Sequence, residues 1–160
     1  MKLNIILISA LLILSSCGYS MRGSINIPSS IKSVSVTSSG YSELVSVLNS
    51  SLVASNIETS ISKSNDIYRI VILSESFDRR QLSINISGRV NEYELVYSVN
   101  FELKVPNNKS IKDRITLYRD YSFDENNVMG NTDREVDIKK GMMSTASTLI
   151  FNTLIASGKK

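Results

Sequence analysis

The chain of 160 residues contains no histidine and only one cysteine, Cys17. Histidine is the side chain whose ordinary pKa lies closest to neutral pH, so its absence removes the usual tunable base. Together with the lack of a second cysteine, it excludes Ser-His and Cys-His nucleophilic pairs and any His-based zinc site. Catalysis would have to run on carboxylates, Lys or Tyr. One cysteine also leaves no internal disulfide, so the core must hold by packing alone. There is no internal repeat and no low-complexity linker. The formal net charge is +3, with a sequence pI near 9.0, and the basic residues are scattered. Arg79-Arg80, Lys139-Lys140 and Lys159-Lys160 are the only Arg or Lys pairs that stand out. A nucleic-acid binder would show a clustered basic stripe with aromatics between the charges, and none is present. The longest apolar run, Leu3 to Leu14, falls short of the about 20 residues that a spanning helix needs.

What is present begins at that run. Lys2 gives a short positive start, and the dozen residues that follow fit the apolar region of a signal peptide. Small, polar Ser15 and Ser16 then give a processing protease access to the bond before Cys17, whose thiol can carry a thioether-linked lipid. Leu14-Ser15-Ser16-Cys17 resembles the bacterial lipobox. That resemblance implies removal of residues 1–16 and acyl chains on the new N-terminus at Cys17, which anchor stably when two or more are attached. Gly18 stands where an Asp tends to retain enterobacterial lipoproteins in the inner membrane, so the address resembles that of the outer membrane. The alternatives are an uncleaved signal anchor or a buried apolar helix with an incidental thiol.

Loss of the leader leaves about 144 residues, enough for one domain with one core. Residues 17–31, with Gly23 and Pro28, read as the lipidated Cys followed by an extended tether, residues 32–157 as a single domain, and residues 158–160 as a tail. Ser33 to Thr37 alternates as a short strand, broken by Ser38-Ser39-Gly40. Tyr41, Leu44, Val45, Leu48, Leu52 and Val53 form a helical stripe with a stop at Asn56. A short strand is predicted over 57–61, a turn at Asn65-Asp66, and a strand over 67–77 that Asp78-Arg79-Arg80 interrupts. A separate alternating segment occupies 81–87. The strongest strand signal is Leu95, Tyr97, Val99, Phe101, Leu103 and Val105 on odd positions, with Glu94, Ser98, Asn100, Glu102 and Lys104 between them. A turn at 106–109 leads to a second alternating strand, with Ile115, Leu117, Tyr121 and Phe123 on one side, and the two should pair antiparallel. Val136, Ile138, Met142, Ala146, Leu149, Ile150 and Leu154 define a final helix, with Asp133, Glu135 and Asp137 near its start. Gly141 within it costs about 1 kcal/mol. One-faced sheets need a cover. The expected fold is therefore α+β, a mostly antiparallel or mixed sheet of four to five strands with two helices packed on one face.

Several segments together resemble the LptE family of lipopolysaccharide-assembly lipoproteins. They are Cys17-Gly18-Tyr19-Ser20-Met21-Arg22-Gly23, Ile27-Pro28-Ser29-Ser30-Ile31-Lys32, Leu73-Ser74-Glu75, Ser87-Gly88-Arg89-Val90-Asn91-Glu92-Tyr93-Glu94-Leu95 and Arg119-Asp120-Tyr121-Ser122-Phe123-Asp124. The resemblance covers nearly the whole mature chain. It implies a non-enzymatic role, without cofactor or metal, on the periplasmic side of a Gram-negative outer membrane. Such proteins plug the large β-barrel LptD, support its assembly and bind lipopolysaccharide on its way to the outer leaflet. Lipid A phosphates call for Lys and Arg. Arg79, Arg80, Arg89, Lys139 and Lys140 are the candidates, and Lys140 matches a helix lysine that the family links to lipopolysaccharide. A loop position that is basic in some members is Ile86 here, with Arg89 as a displaced substitute. The same five residues could equally be solvated charges on a wet face.

Other groupings have a plainer explanation. Glu92 and Glu94 share one strand face and could form an acid–base pair, or else a polar face paired with basic neighbours. Asp124-Glu125-Asn126-Asn127 clusters oxygens but lacks the spaced calcium-loop pattern, and suits a strand-to-helix loop with capping residues. Tyr93, Tyr97, Tyr118 and Tyr121 could stack a glycan or simply be sheet neighbours. The expectation that is easiest to test lies at Cys17. Cys17→Ala should abolish fatty-acid labelling and leave the leader attached, both read by mass spectrometry of the membrane fraction; an acylated C17A chain would exclude this attachment site.

Overall fold

A computed structural model describes residues 27–60 and 66–158. Cys17, the leader, most of the tether, the predicted strand end at 61, Asn65 of the predicted turn, and Lys159-Lys160 lie outside the described residues. The elements in order are β1 (Ser33–Ser38), α1 (Glu43–Ala54), β2 (Glu58–Thr59), β3 (Tyr68–Ile84), β4 (Val90–Lys104), β5 (Ile111–Ser122) and α2 (Val128–Gly158). The five strands form one mixed sheet in the order β2-β1-β3-β4-β5. β1 is parallel to both its neighbours, and the β3-β4 and β4-β5 pairs are antiparallel. The two helices touch each other and cover one face, as expected of an α+β fold.

β4 shows why the cover is one-sided. Leu95, Tyr97, Val99, Phe101 and Leu103 are shut off from water on the helix side, while the even positions between them face outward. On β5 the same face carries Ile115 and Tyr121, with Leu117 and Phe123 packed at its edge. β3 departs from expectation. It is one strand, and Asp78-Arg79-Arg80 does not interrupt it. The register shifts between Ile72 and Ser74, where a bulge reverses the inward parity. Ile70 and Ile72 face the helices before it, and Glu75, Phe77 and Arg79 do so after it. A period-two pattern read through the bulge therefore looks broken at the charges, although the backbone continues to Ile84.

Both helices also refine the sequence pattern. Leu44, Leu48 and Leu52 make the buried stripe of α1, whereas Tyr41 precedes the helix and Val53 lies one residue round from the stripe, and both are exposed. Asn56 ends α1 in the left-handed region at φ 56°. Its N–H donates to the Val53 carbonyl and that of Ile57 to the Leu52 carbonyl, each at 3.0 Å, which is a Schellman closure with Asn in the place glycine usually takes. α2 starts at Val128, before the acidic residues rather than at them, so Asp133, Glu135 and Asp137 lie beyond the first turn and do not compensate the helix dipole there. Asn127 caps it, its Oδ1 accepting from the Gly130 N–H at 3.0 Å, and the Asp124 Oδ1 accepts from the Asn126 N–H at 2.9 Å. Val136 and Leu149 of the predicted stripe are partly exposed, and Met143 and Phe151 are buried instead.

A polar group of β4 enters the core from the sheet. The Tyr97 ring is fully buried, tilted against Phe77 at 6.1 Å, and its hydroxyl donates to the Glu75 Oε1 at 2.7 Å. Burial, and then the Glu75 carboxylate, hold the Tyr97 hydroxyl well above its usual titration range.

Two outcomes follow for stability. Gly141 lies inside α2 with open space around the position a Cβ would take, so Gly141→Ala should raise the urea unfolding free energy by about 0.5–1 kcal/mol. Tyr97→Phe should cost roughly 1–3 kcal/mol at pH 7, because the Glu75 carboxylate loses its donor. The pH dependence has a definite sign. Because the folded hydroxyl titrates above the unfolded one, its stabilisation is complete below about pH 10 and declines as pH rises beyond it. The gap in urea midpoint between parent and Y97F should therefore narrow above pH 10; a gap that stays constant to pH 11 would show that Tyr97 is not held protonated.

Candidate functional site

The five basic residues singled out in the sequence do not form one patch. Arg79 and Arg80, adjacent in β3, leave the strand on opposite faces of the sheet. Arg79 faces the helices, where its guanidinium lies 4.6 Å from the centre of the Tyr93 ring and donates to the Glu135 carboxylate of α2 at 3.2 Å. The Tyr121 hydroxyl donates to the same oxygen at 3.1 Å. Hydrogen bonding to Tyr121 is the main reason that Arg79 is held even more firmly protonated than usual, and burial raises the Tyr121 hydroxyl. Tyr93 stacks on Tyr121 at 5.8 Å and meets Phe123 edge-on at 5.3 Å. Arg79 thus ties the first half of α2 to an aromatic group on the sheet.

Arg80 sits on the open face, where it pairs with Glu94 and lies 5.8 Å from the centre of the half-exposed Tyr118 ring. Arg89 follows the β3-β4 turn and reaches Glu125 in the loop before α2. That turn is built by Gly88 at φ 75° and by the Asn85 Oδ1, which accepts from the Ser87 and Arg89 N–H groups at 2.9 and 3.0 Å. Lys139 links the two helices through Glu43 at 3.3 Å and sits 5.3 Å from the Phe77 ring centre. Lys140 is different. Its ammonium meets only Asp137, one turn away at 3.7 Å, and both side chains are largely exposed. Four of the five charges therefore join separate elements, and Lys140 points outward with a loose partner on its own helix.

The other groupings resolve in the same way. Glu94 is taken by Arg80, and Glu92 accepts from the Ser83 hydroxyl at 2.7 Å, so each carboxylate has a cross-strand partner. Of the four tyrosines, Tyr93, Tyr97 and Tyr121 face the helices and Tyr118 faces the other side, so they present no single stacking surface. Among the described residues no group of three or more acidic or cysteine side chains is placed to hold a metal ion, and no helix is long and apolar enough to cross a membrane.

What sequence reasoning missed is the continuity of the open sheet face. The Asn100 Nδ2 donates to the Ser74 hydroxyl at 2.7 Å, the Arg114 Nε to the Asn100 Oδ1 at 2.7 Å, and the Ser98 hydroxyl to that of Thr116 at 3.3 Å. With Arg80-Glu94 and Ser83-Glu92, these bonds lace β3, β4 and β5 into a polar surface. The alternation on β4 hinted at one wet face, but the bulge in β3 hid that strand's share of it.

Comparisons with known proteins agree with this architecture. A family profile described as LptE, lipopolysaccharide-assembly, matches residues 31–154. The chain is 26% identical over 155 residues to the LPS-assembly lipoprotein LptE of Pectobacterium atrosepticum, covering 94% of this chain and 84% of that protein. It is 26% identical over 105 residues to the protein of the same name from Photorhabdus laumondii, covering 65% and 58%. Among solved structures, the rare lipoprotein B from Shewanella oneidensis gives a TM-score of 0.71 at 26% identity, over 78% of this chain and 94% of that one. An uncharacterized lipoprotein B from Nitrosomonas europaea gives 0.71 at 24% identity, over 87% and 91%, a likeness of fold. The profile spans the whole sheet, α1 and all but the end of α2, and the chain belongs to the LptE lipopolysaccharide-assembly family.

Proposed function

We propose that this chain is a non-catalytic, lipid-anchored outer-membrane protein that plugs an LptD-type β-barrel and binds lipopolysaccharide during its insertion into the outer leaflet. The observation that carries this reading is the division of the sheet into two unlike faces. One is sealed by α1 and α2, while the other is an uncovered polar lattice running from Ser83 and Glu92 to Arg114. The interior of a large outer-membrane barrel is polar and water-lined. A compact domain that presents hydrogen-bonding groups and mixed charge can occupy such a lumen without exposing its own core.

Lys140 is the basic residue best suited to an anionic glycolipid. It projects from α2 into solvent, and an incoming phosphate need displace only an exposed contact at 3.7 Å. To bind the same phosphate, Arg79, Arg89 or Lys139 would have to give up a contact between elements. The pairing of Glu92 and Glu94 with Ser83 and Arg80 likewise supports a binding role over acid–base chemistry. Attachment at Cys17 would hold the domain at the periplasmic surface beside its barrel.

Two measurements test the proposal. A tagged chain extracted in mild detergent should copurify with a large β-barrel protein; failure to do so would overturn the plug and point to a scaffold for another envelope complex. Lys140→Glu should weaken lipopolysaccharide binding about tenfold with the unfolding midpoint unchanged, as loss of one charged hydrogen bond implies, whereas parental affinity in K140E would remove Lys140 from the site.

A further inference from the structure

β5 is the last strand of the sheet, and among the described residues no strand pairs with its far edge. The opposite edge of the sheet is only Glu58–Thr59, too short to recruit another strand. β5, in contrast, runs for 12 residues with no register shift against β4. It has neither proline nor bulge, two devices that commonly blunt a long edge. The direction of its free backbone groups follows from the ladder. The Phe123 N–H donates to the carbonyl of Asn91, the residue opposite it in the continued register, at 2.9 Å. Odd positions therefore bond to β4, and even ones, from Lys112 to Asp120, turn N–H and C=O to the open edge. Two of these outward groups are met by neighbouring side chains. The Asp113 Oδ1 accepts from the Arg114 N–H at 2.8 Å, and the Arg119 Nη1 donates to the Tyr118 carbonyl at 2.9 Å.

The side chains of this edge complement themselves. Set against an antiparallel copy with Thr116 opposite Thr116, Lys112 faces Asp120, Asp113 faces Arg119, Arg114 faces Tyr118 and Ile115 faces Leu117. Opposite charges and a cation with an aromatic ring are favourable cross-strand neighbours. The same alignment sets even positions against even ones, so the outward backbone groups of the two strands also meet. A slip of two residues, the smallest that keeps this match, sets Arg119 opposite Ile115 or Ile111 and Asp113 opposite Tyr121 or Leu117. A parallel in-register pair would set like charges side by side. Lys112, Asp113, Arg119 and Asp120 are exposed, and none of them forms an ion pair among the described residues. Asp120 lies near Arg80, but the carboxylate that Arg80 pairs with is that of Glu94.

We propose that two copies of this chain pair antiparallel along their β5 edges about a two-fold axis at Thr116, joining their sheets into one. The contact is isologous, so each unlike pairing occurs twice. The even residues exchange on the order of ten backbone hydrogen bonds across it. Asp113 and Arg119, released from the backbone groups they meet in the single chain, lie opposite each other and pair. On the open face Lys112 meets Asp120, and the Arg114 guanidinium reaches the half-exposed Tyr118 ring of the second copy. One strand edge is a small interface, so the dimer is weak. The pairing is a property of the free domain and does not rest on the reading of the chain as a barrel plug.

The test is analytical ultracentrifugation of residues 17–160 with Cys17→Ser, which excludes both lipid and an intermolecular disulfide. This chain should be mostly dimer at about 500 µM and mostly monomer at about 5 µM, as a small interface implies. Arg119→Asp or Asp113→Arg should each weaken the dimer about tenfold or more, because each makes both Asp113-Arg119 pairs repulsive. Lys32→Asp, the same change in charge as R119D but away from the edge, should have no effect. Mixing the R119D and D113R chains in equal amounts restores unlike pairs, as does the double variant D113R/R119D, and both should recover the parental dimer. Thr116→Pro removes only an outward N–H, so it should abolish the dimer while leaving the circular dichroism of the monomer unchanged, and it decides the matter if the charge variants do not fold. A parent chain that stays monomeric at the higher concentration would overturn the proposal and leave the edge for a strand of another protein. A dimer that survives T116P, an equal loss in K32D, or no recovery on mixing folded R119D and D113R would overturn it as well.

Discussion

Five side chains on β4, from Leu95 to Leu103, lose all contact with water on one side of the sheet, and the remaining elements are arranged around covering them. Leu44, Leu48 and Leu52 of α1, which lies against β1 and β2, and Met142, Ala146, Ile150, Phe151 and Leu154 of α2, which lies against β4 and β5, join that stripe in one core. Burying a side chain of this size is worth roughly 1.5–3 kcal/mol. With no disulfide available, this stripe is the main restraint on the fold. It also dictates what is left over. Because both helices are drawn to the same face, the reverse face must satisfy its polar groups across the strands, and it does so through Ser74, Asn100, Arg114, Ser98 and Thr116.

The cross-element ion pairs belong to the same scheme. Arg79-Glu135 fastens the first half of α2 over Tyr93 and Tyr121, Lys139-Glu43 joins the helices, and Arg89-Glu125 ties the β3-β4 turn to the loop that leads into α2. Each is at least partly exposed, so each contributes orientation more than energy. Lys140 differs from these in that its only ion pair, with Asp137, lies within its own helix.

Elements with an uninterrupted period were legible in the sequence. From Glu92 onward β4 alternates without a bulge, as does β5 opposite it, so their faces, their turn and their antiparallel pairing could be read directly. β3 could not, because bulges at Leu73 and Leu82 exchange the inward and outward positions twice along it. The start of α2 was hidden for another reason. Val128 and Met129 are exposed, so the first turn carries no core-facing repeat, and Asn127 announces it only through a cap. The site charges were the least legible part. Arg79 and Arg80 look identical in sequence, and only the register places one beneath a helix and the other in the open.

The contact between Ile31 and Gly158 has a mechanical consequence. The chain enters and leaves the domain at nearly the same point, so a pull transmitted along the N-terminal segment is applied beside the end of α2 and the start of β1. The long β3-β4-β5 ladder need not carry that load. Were the chain anchored through Cys17, as proposed, tension on the anchor would reach the domain at this point and bypass that ladder.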